Sequence, residues 1–280
     1  MSGKMIQDHR EYPLGGATSA EVELEILHGP LSVSGGASEL CEAEFEYSHP
    51  ELRPIDDYRQ DGDRASLEVR QPLTEGLRDT RNAWNLAFNS DIQIELAISS
   101  MSGSVALDLD LVQVSNVEVE SRSGSVQASL AGSYPELDEL VVDSMSGRVA
   151  MSLTGTFPKL SLIEVDSKSG SADLAVTGNC PELRRIDVDS KSGSVSLDLR
   201  GAFQRDDLGV RVDSISGGVR IRVPADIGVS LQASTVSGRV HANGFVSRDG
   251  RLTNDAFGSS SATIWLNVHV TSGSVEVLRS

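Results

Sequence analysis

The stretch Asp189-Ser-Lys-Ser-Gly-Ser-Val195 decides how this chain is read. Its Ser-Gly core recurs with Gly103, Gly124, Gly147, Gly170, Gly193, Gly217, Gly238 and Gly273, and the first six intervals are 21, 23, 23, 23, 24 and 21 residues. Self-similarity at a period of a few tens of residues marks a repeat architecture and outweighs any local assignment. Alternating apolar segments follow the Ser-Gly at 126–130, 149–153, 172–176, 195–199 and 219–223. Others precede it at 140–142, 163–165, 186–188 and 210–212. Each period therefore holds two short strands and two turns. One such unit cannot bury its own apolar face, whereas stacked units turn each column of Val or Leu into a continuous core. The pattern predicts an all-β, single-stack β-solenoid of about 21–24 residues per coil. Equivalent strands would sit roughly 4.8 Å apart, so eight coils make a body on the order of 40 Å long.

Further columns come from the same alignment. Gly132, Gly155, Gly178 and Gly201 open the second turn. Pro135, Pro158 and Pro181 follow the first three, with Gln204 in the fourth. Between them stand Tyr134, Phe157, Cys180 and Phe203, one per coil, which predicts a side-chain stack with Cys180 as a small buried hydrophobe. At the Ser-Gly corner, glycine supplies positive φ without steric cost. Ser144, Ser167 and Ser190 are expected to bond neighbouring backbone and one another. A serine nucleophile needs a base, and His9, His28, His49, His241 and His269 all lie outside the regular coils, so the Ser-Gly ladder is read as structural and no catalytic residue is assigned. Asp143, Asp166, Asp189 and Asp213 share one outward coil position, with Glu120 before them. Stacked like charges repel. The carboxylates either cap turn amides or pair with Lys168, Lys191 or Arg211, or else form a ladder for cations such as calcium or for a basic partner.

The 41 acidic and 24 basic residues leave a net charge of −17. Such a surface repels phosphate backbones and makes nucleic acid an unfavourable partner. Only four of the basic residues are Lys. No run of 18 apolar residues suggests a membrane span, and no apolar signal segment stands at the N-terminus. A cytoplasmic protein is expected, and its two cysteines, Cys41 and Cys180, suit a reducing compartment without a disulfide framework. No cofactor is indicated beyond the calcium option.

Residues 1–18 are polar and are expected to form a flexible tail. Residues 19–98 alternate in short β segments and predict a β region capping the solenoid. Residues 99–280 carry the coils of the same continuous solenoid, with a polar surface excursion at 243–262. The open end of a solenoid is an unpaired edge and a template for association.

Two resemblances follow from these residues. The Ser-Gly-Ser-Val coils resemble the putative-adhesin β-solenoids. Glu42-Ala-Glu-Phe-Glu-Tyr47, Pro50-Glu-Leu-Arg-Pro54, Asp57-Tyr58, Leu67-Glu-Val-Arg-Gln-Pro72, Trp84-Asn-Leu-Ala-Phe-Asn89 and Ile94-Glu-Leu96 resemble the toastrack domain of LiaF-like envelope-stress proteins. That resemblance implies a regulator or scaffold rather than an enzyme. The first expected function is a non-enzymatic interaction or scaffold module of a prokaryotic envelope-stress or membrane-associated assembly, with a protein partner. The second is a structural protein that self-associates end to end. The third is a cation- or glycan-binding surface. The outward positions Gln127, Ser129, Ser152, Asp173, Ser196 and Asp198 carry no aromatic platform for a sugar.

Overall fold

The structure is a computed structural model describing residues 5–74, 76 and 80–280. Two long sheets of 12 and 13 strands face each other along one axis. Through the coils the strands pair in parallel and in register: Val126 with Val149, Val149 with Ala172, Ala172 with Val195, and Val195 with Val219. The alternation seen in sequence thus becomes columns. Odd positions such as Val149, Met151 and Leu153 are buried between the sheets, and even ones face out. Parallel sheets with an apolar inner face and a polar outer face need no helix to cover them when the two inner faces cover each other. Among the described residues the one helical piece is the 3-10 turn Pro50–Leu52, and no helix is long and apolar enough to cross a membrane.

Stacking order departs from chain order at both ends. The pair Ser19–Ile26 and Leu31–Gly35 lies between the coil of Gln93–Ser100 and Val105–Asp108 and the pair Arg64–Arg70 and Asn82–Phe88. At the far end the final pair, Thr263–Ser272 and Val275–Arg279, slides in beneath Gly228–Ser237 and Val240–Ala242. The sequence suggests coils stacked in numerical order. The inserted pair has the better claim to an interior position: Ile264, Leu266, Val270, Val275 and Val277 are fully buried. The displaced coil carries Val236 at 76% exposure and suits an outermost level.

Three of the four sheet edges are finished by antiparallel strands; the fourth, Val240–Ala242, pairs in parallel with Val275–Arg279. Ile6–Tyr12, within the expected flexible tail, is a strand paired with Cys41–Tyr47. Hydrophobic alternation cannot reveal it, because two of its half-buried positions are Asp8 and Arg10. Arg10 pairs with Asp8 and Asp56 and lies over the Phe45 ring at 5.1 Å. Ile55–Asp61 closes the other sheet. The 243–262 excursion contains the hairpin Val246–Arg248 and Arg251–Thr253, which adds antiparallel to Gly228–Ser237. These outer strands are highly charged or only three residues long, which blunts the edges that the open-end expectation relies on.

Candidate functional surfaces

The Ser-Gly corners form a nine-membered ladder. In space it runs Gly29, Gly103, Gly124, Gly147, Gly170, Gly193, Gly217, Gly273, Gly238, each glycine having positive φ. A Cβ on Gly170 would sit 1.9 Å from the Gly147 carbonyl oxygen. Gly29 belongs to the ladder without the Ser-Gly signature, since its local sequence is Leu-His-Gly-Pro. Beyond it, Gln71 Oε1 accepts from the Leu27 and His28 amides and from Asn82 Nδ2, and Asn82 Oδ1 accepts from Trp84 Nε1. Burial lowers the His28 pKa from its ordinary value.

Serines also stand three residues before six of those glycines. Ser100, Ser121, Ser144, Ser167, Ser190 and Ser214 point inward and are at most 3% exposed. Their hydroxyls meet no protein hydrogen-bonding partner, contrary to the backbone and mutual bonds expected for Ser144, Ser167 and Ser190. The narrow corner selects a small side chain there. Strand spacing of about 4.8 Å keeps successive hydroxyls outside hydrogen-bonding reach.

At the opposite turn, Tyr134 and Phe157 stack with centroids 5.1 Å apart and planes 2° from parallel. Backbone bridges Ser133–Thr156–Asn179–Ala202 carry the register on past Cys180 to Phe203. Cys180 is fully buried, and burial pushes its thiol pKa up to about 12. Cys41 is likewise buried and raised.

The outer face of the 13-stranded sheet is acidic. Register places Glu25, Ser99, Glu120, Asp143, Asp166, Asp189, Asp213, His269 and Ser234 in one column. The next outward column holds Glu23, Ala97, Glu118, Val141, Glu164, Asp187 and Arg211. Asp213 receives the Arg211 Nε–H at 2.5 Å, but Lys168 and Lys191 pair with none of the ladder carboxylates among the described residues. The Asp189 carboxyl is raised above its ordinary pKa, first by desolvation and then by Asp213, with Arg211 opposing and Asp166 and Asp187 adding. The row does not converge: among the described residues no three His, Cys, Asp or Glu side chains are grouped to hold a metal ion. A straight column points its carboxylates outward side by side, whereas calcium takes six to eight oxygens around one point. Charge is segregated along the axis. Residues 1–149 contain 27 acids and 10 bases, and residues 150–280 contain 14 of each, so the first half carries the whole net charge.

One histidine is not outside the stack. His269 stands beside Asp213, and its Nδ1 lies 2.9 Å from Ser234 Oγ. This is a Ser–His pair on an exposed flat face, with Asp213 engaged by Arg211. Acyl-transfer chemistry needs an orienting carboxylate and oxyanion donors, and the sheet amides here are committed to the ladder.

The outer face of the 12-stranded sheet is different. Gln127, Ser129, Ser152, Asp173, Ser196 and Asp198 line one shallow trough of about 660 Å³, with Ala106 and Ala150 in its floor. No aromatic side chain lines it. Asp173 pairs with Arg148 at 2.8 Å and Asp198 with Arg200 at 2.6 Å. The Arg200 hydrogen bond holds the Asp198 carboxyl below the usual range.

Comparison with known proteins adds a family. The model for the N-terminal domain of toast_rack, DUF2154, matches residues 1–149. The model for the LiaF C-terminal region, described as a cell wall-active antibiotics response domain, matches residues 172–277. No curated protein matches the chain. Among solved structures, a putative cell adhesion protein from Clostridium sporogenes shares 20% identity over 99% of this chain and 100% of its own, with a TM-score of 0.35. A putative adhesin from Bacteroides fragilis shares 13% identity over 98% and 97%, with a TM-score of 0.49.

Proposed function

Given that the chain belongs to the family of the toast_rack N-terminal domain, whose model covers more than half of it, we propose that it is a non-enzymatic interaction module of a prokaryotic cell-envelope stress assembly. The cell-wall antibiotic response named in the LiaF C-terminal model supports the process. The observation that carries the mode of action is the acidic outer face. In-register parallel pairing sets Glu120, Asp143, Asp166 and Asp189 of successive coils into one column at fixed spacing, beside a second column in which Val141 separates Glu118 from Glu164 and Asp187. Such a lattice offers a basic partner many weak contacts at once, and multiplicity with complementary charge gives rate and orientation more than single-site strength.

The test is genetic. A deletion strain is challenged with a cell-wall-active antibiotic while envelope-stress transcripts are measured. Deletion should alter induction, wild-type protein should restore it, and the Glu118→Gln/Glu120→Gln/Asp143→Asn variant should not. A deletion strain that responds like its parent refutes the process. Full rescue by the neutralised variant refutes the acidic face as the contact.

A further inference from the structure

The swapped stacking order builds a cleft that no local motif announces. It lies on the edge of the second turn, is open to solvent like the trough on the 12-stranded sheet, and has a volume of about 740 Å³. One wall is made by the turns of successive coils, which present Thr156, Thr177 and Asn179. The floor is Phe203, Pro224 and Ile227. The facing wall is Ser260–Ala262, from the excursion that links the displaced coil to the inserted one. Distant parts of the chain meet here only because the last coil threads back beneath its predecessor.

The excursion wall is held from within. Asn254 is fully buried, its Oδ1 accepting from the Val229 amide at 2.9 Å and its Nδ2 donating to the Ile227 carbonyl at 2.7 Å. The Phe257 amide donates to the Asn254 carbonyl at 3.2 Å, and the Ser260 amide to the Ala256 carbonyl at 3.0 Å. The Phe257 ring meets Trp265 edge-on at 5.8 Å, and Trp265 Nε1 donates to the Asp206 carbonyl at 3.0 Å. A wall tied this way loses little freedom when a ligand arrives.

We propose that this cleft binds a neutral, hydroxyl-rich ligand, the end of an oligosaccharide chain. The lining combines a small apolar floor with hydroxyls from Thr156, Thr177, Ser260 and Ser261, the Asn179 amide and the Asp226 carboxylate. A sugar ring presents the matching surface: C–H patches on its faces and hydroxyls, each both donor and acceptor, around its rim. Asp226 has no ion-pair partner among the described residues and is free to accept from paired ligand hydroxyls. An anionic ligand fits poorly. The one guanidinium in the lining, Arg200, already gives Nε–H and Nη2–H to Asp198 at 2.7 and 2.6 Å, and Asp226 adds negative charge. A fully apolar ligand would strand the wall hydroxyls without water. The assignment does not depend on the envelope-stress reading, since it rests on the cleft alone.

The experiment is isothermal titration of the full chain with three uncharged tetramers: β-1,4-linked glucose, β-1,4-linked N-acetylglucosamine and α-1,4-linked glucose. At least one should bind with a Kd below about 1 mM. Asp226→Ala removes an acceptor of two hydroxyl bonds and should weaken that binding about tenfold. Ala202→Trp, at an exposed lining position, should fill the cleft and abolish binding; Ser261→Arg does the same from the facing wall should the first variant fold poorly. Asp249→Ala, in the excursion's hairpin turn, should bind like the parent chain. Silence from all three tetramers overturns the assignment, as does undiminished binding by a folded blocking variant.

Discussion

Gly170→Ala should be among the most damaging single-methyl additions available in this protein. Two costs combine at the site. The first is backbone strain, because Gly170 has φ +139°, a region almost closed to other residues. That alone is worth about 1–3 kcal/mol. The second is collision with the coil before it. The added Cβ would lie 1.9 Å from the Gly147 carbonyl oxygen and 2.6 Å from its carbon. Relief requires the two coils to part by more than an ångström. The bonds that join them at this corner are Gly147 N–H to the Ser169 carbonyl at 2.8 Å, Val149 N–H to Ser171 at 2.9 Å and Lys168 N–H to Ser144 at 2.9 Å. A shift of that size takes them out of range, at about 1 kcal/mol each. The control is Gly36→Ala, where φ is +103° but no atom lies within 4 Å of the added Cβ. It isolates the strain. Gly170→Ala should therefore cost about 2–3 kcal/mol more than Gly36→Ala, a further loss in Tm of roughly 5–10 °C for a chain this size. Thermal unfolding followed by circular dichroism reads both. Equal Tm losses would refute the close coil contact on which the ladder account rests.

Four further outcomes follow. Asp189 has a carboxyl pKa raised in the fold, so its charged form is disfavoured there; Asp189→Asn should raise Tm at pH 7, and the gain should fade as pH falls through the raised pKa, where the carboxyl is protonated anyway. A gain independent of pH would contradict the charge-column explanation. Ser167→Ala removes a buried hydroxyl without a protein partner and should leave Tm unchanged or raise it by the equivalent of about 1 kcal/mol, whereas a comparable loss would show that the hydroxyl contributes to stability. His28 has a lowered pKa, so the unfolded chain binds its proton first: stability should be complete above the ordinary value of 6.5 and fall as pH drops below it. Comparing His28→Gln with the parent across that window should show a flatter pH dependence, and identical profiles would remove His28 from the account. Cys41 and Cys180 should resist maleimide at pH 8 until denaturant is added, and fast labelling of the folded chain would contradict their burial.

The coils were legible because a repeat turns a weak local signal into a column. One Val-x-Met-x-Leu segment is ambiguous, but five at nearly constant spacing are not, and the spacing itself implies parallel pairing. The acidic ladder was visible for the same reason. The strand Ile6–Tyr12 was hidden because Asp8 and Arg10 occupy half-buried positions that an apolar pattern would have marked. Gly29 carries no repeat signature because its corner lacks serine, although a Cβ on Gly103 would lie 2.0 Å from its carbonyl oxygen. His269 looked remote from the coils because 35 residues separate Gly238 from Gly273, and only the pairing of its strand with Leu208–Ser216 brings it beside Asp213.

By itself the sequence determined the β class, the coil period, the inward and outward faces and the columns of glycine, aromatic and aspartate residues. All of these depend on spacing within one or two coils, where alternation and turn chemistry act locally. The tertiary structure decided the order in which the coils stack, the sealing of both ends and the cleft beneath the excursion. Those depend on which strand buries most apolar surface in an interior level. The comparison is between Thr263–Ser272 with its successor and Gly228–Ser237 with its own, segments that compete for one position while lying far apart in the chain. Asp189-Ser-Lys-Ser-Gly-Ser-Val195 specifies how a coil turns, and burial summed across coils settles where each coil goes.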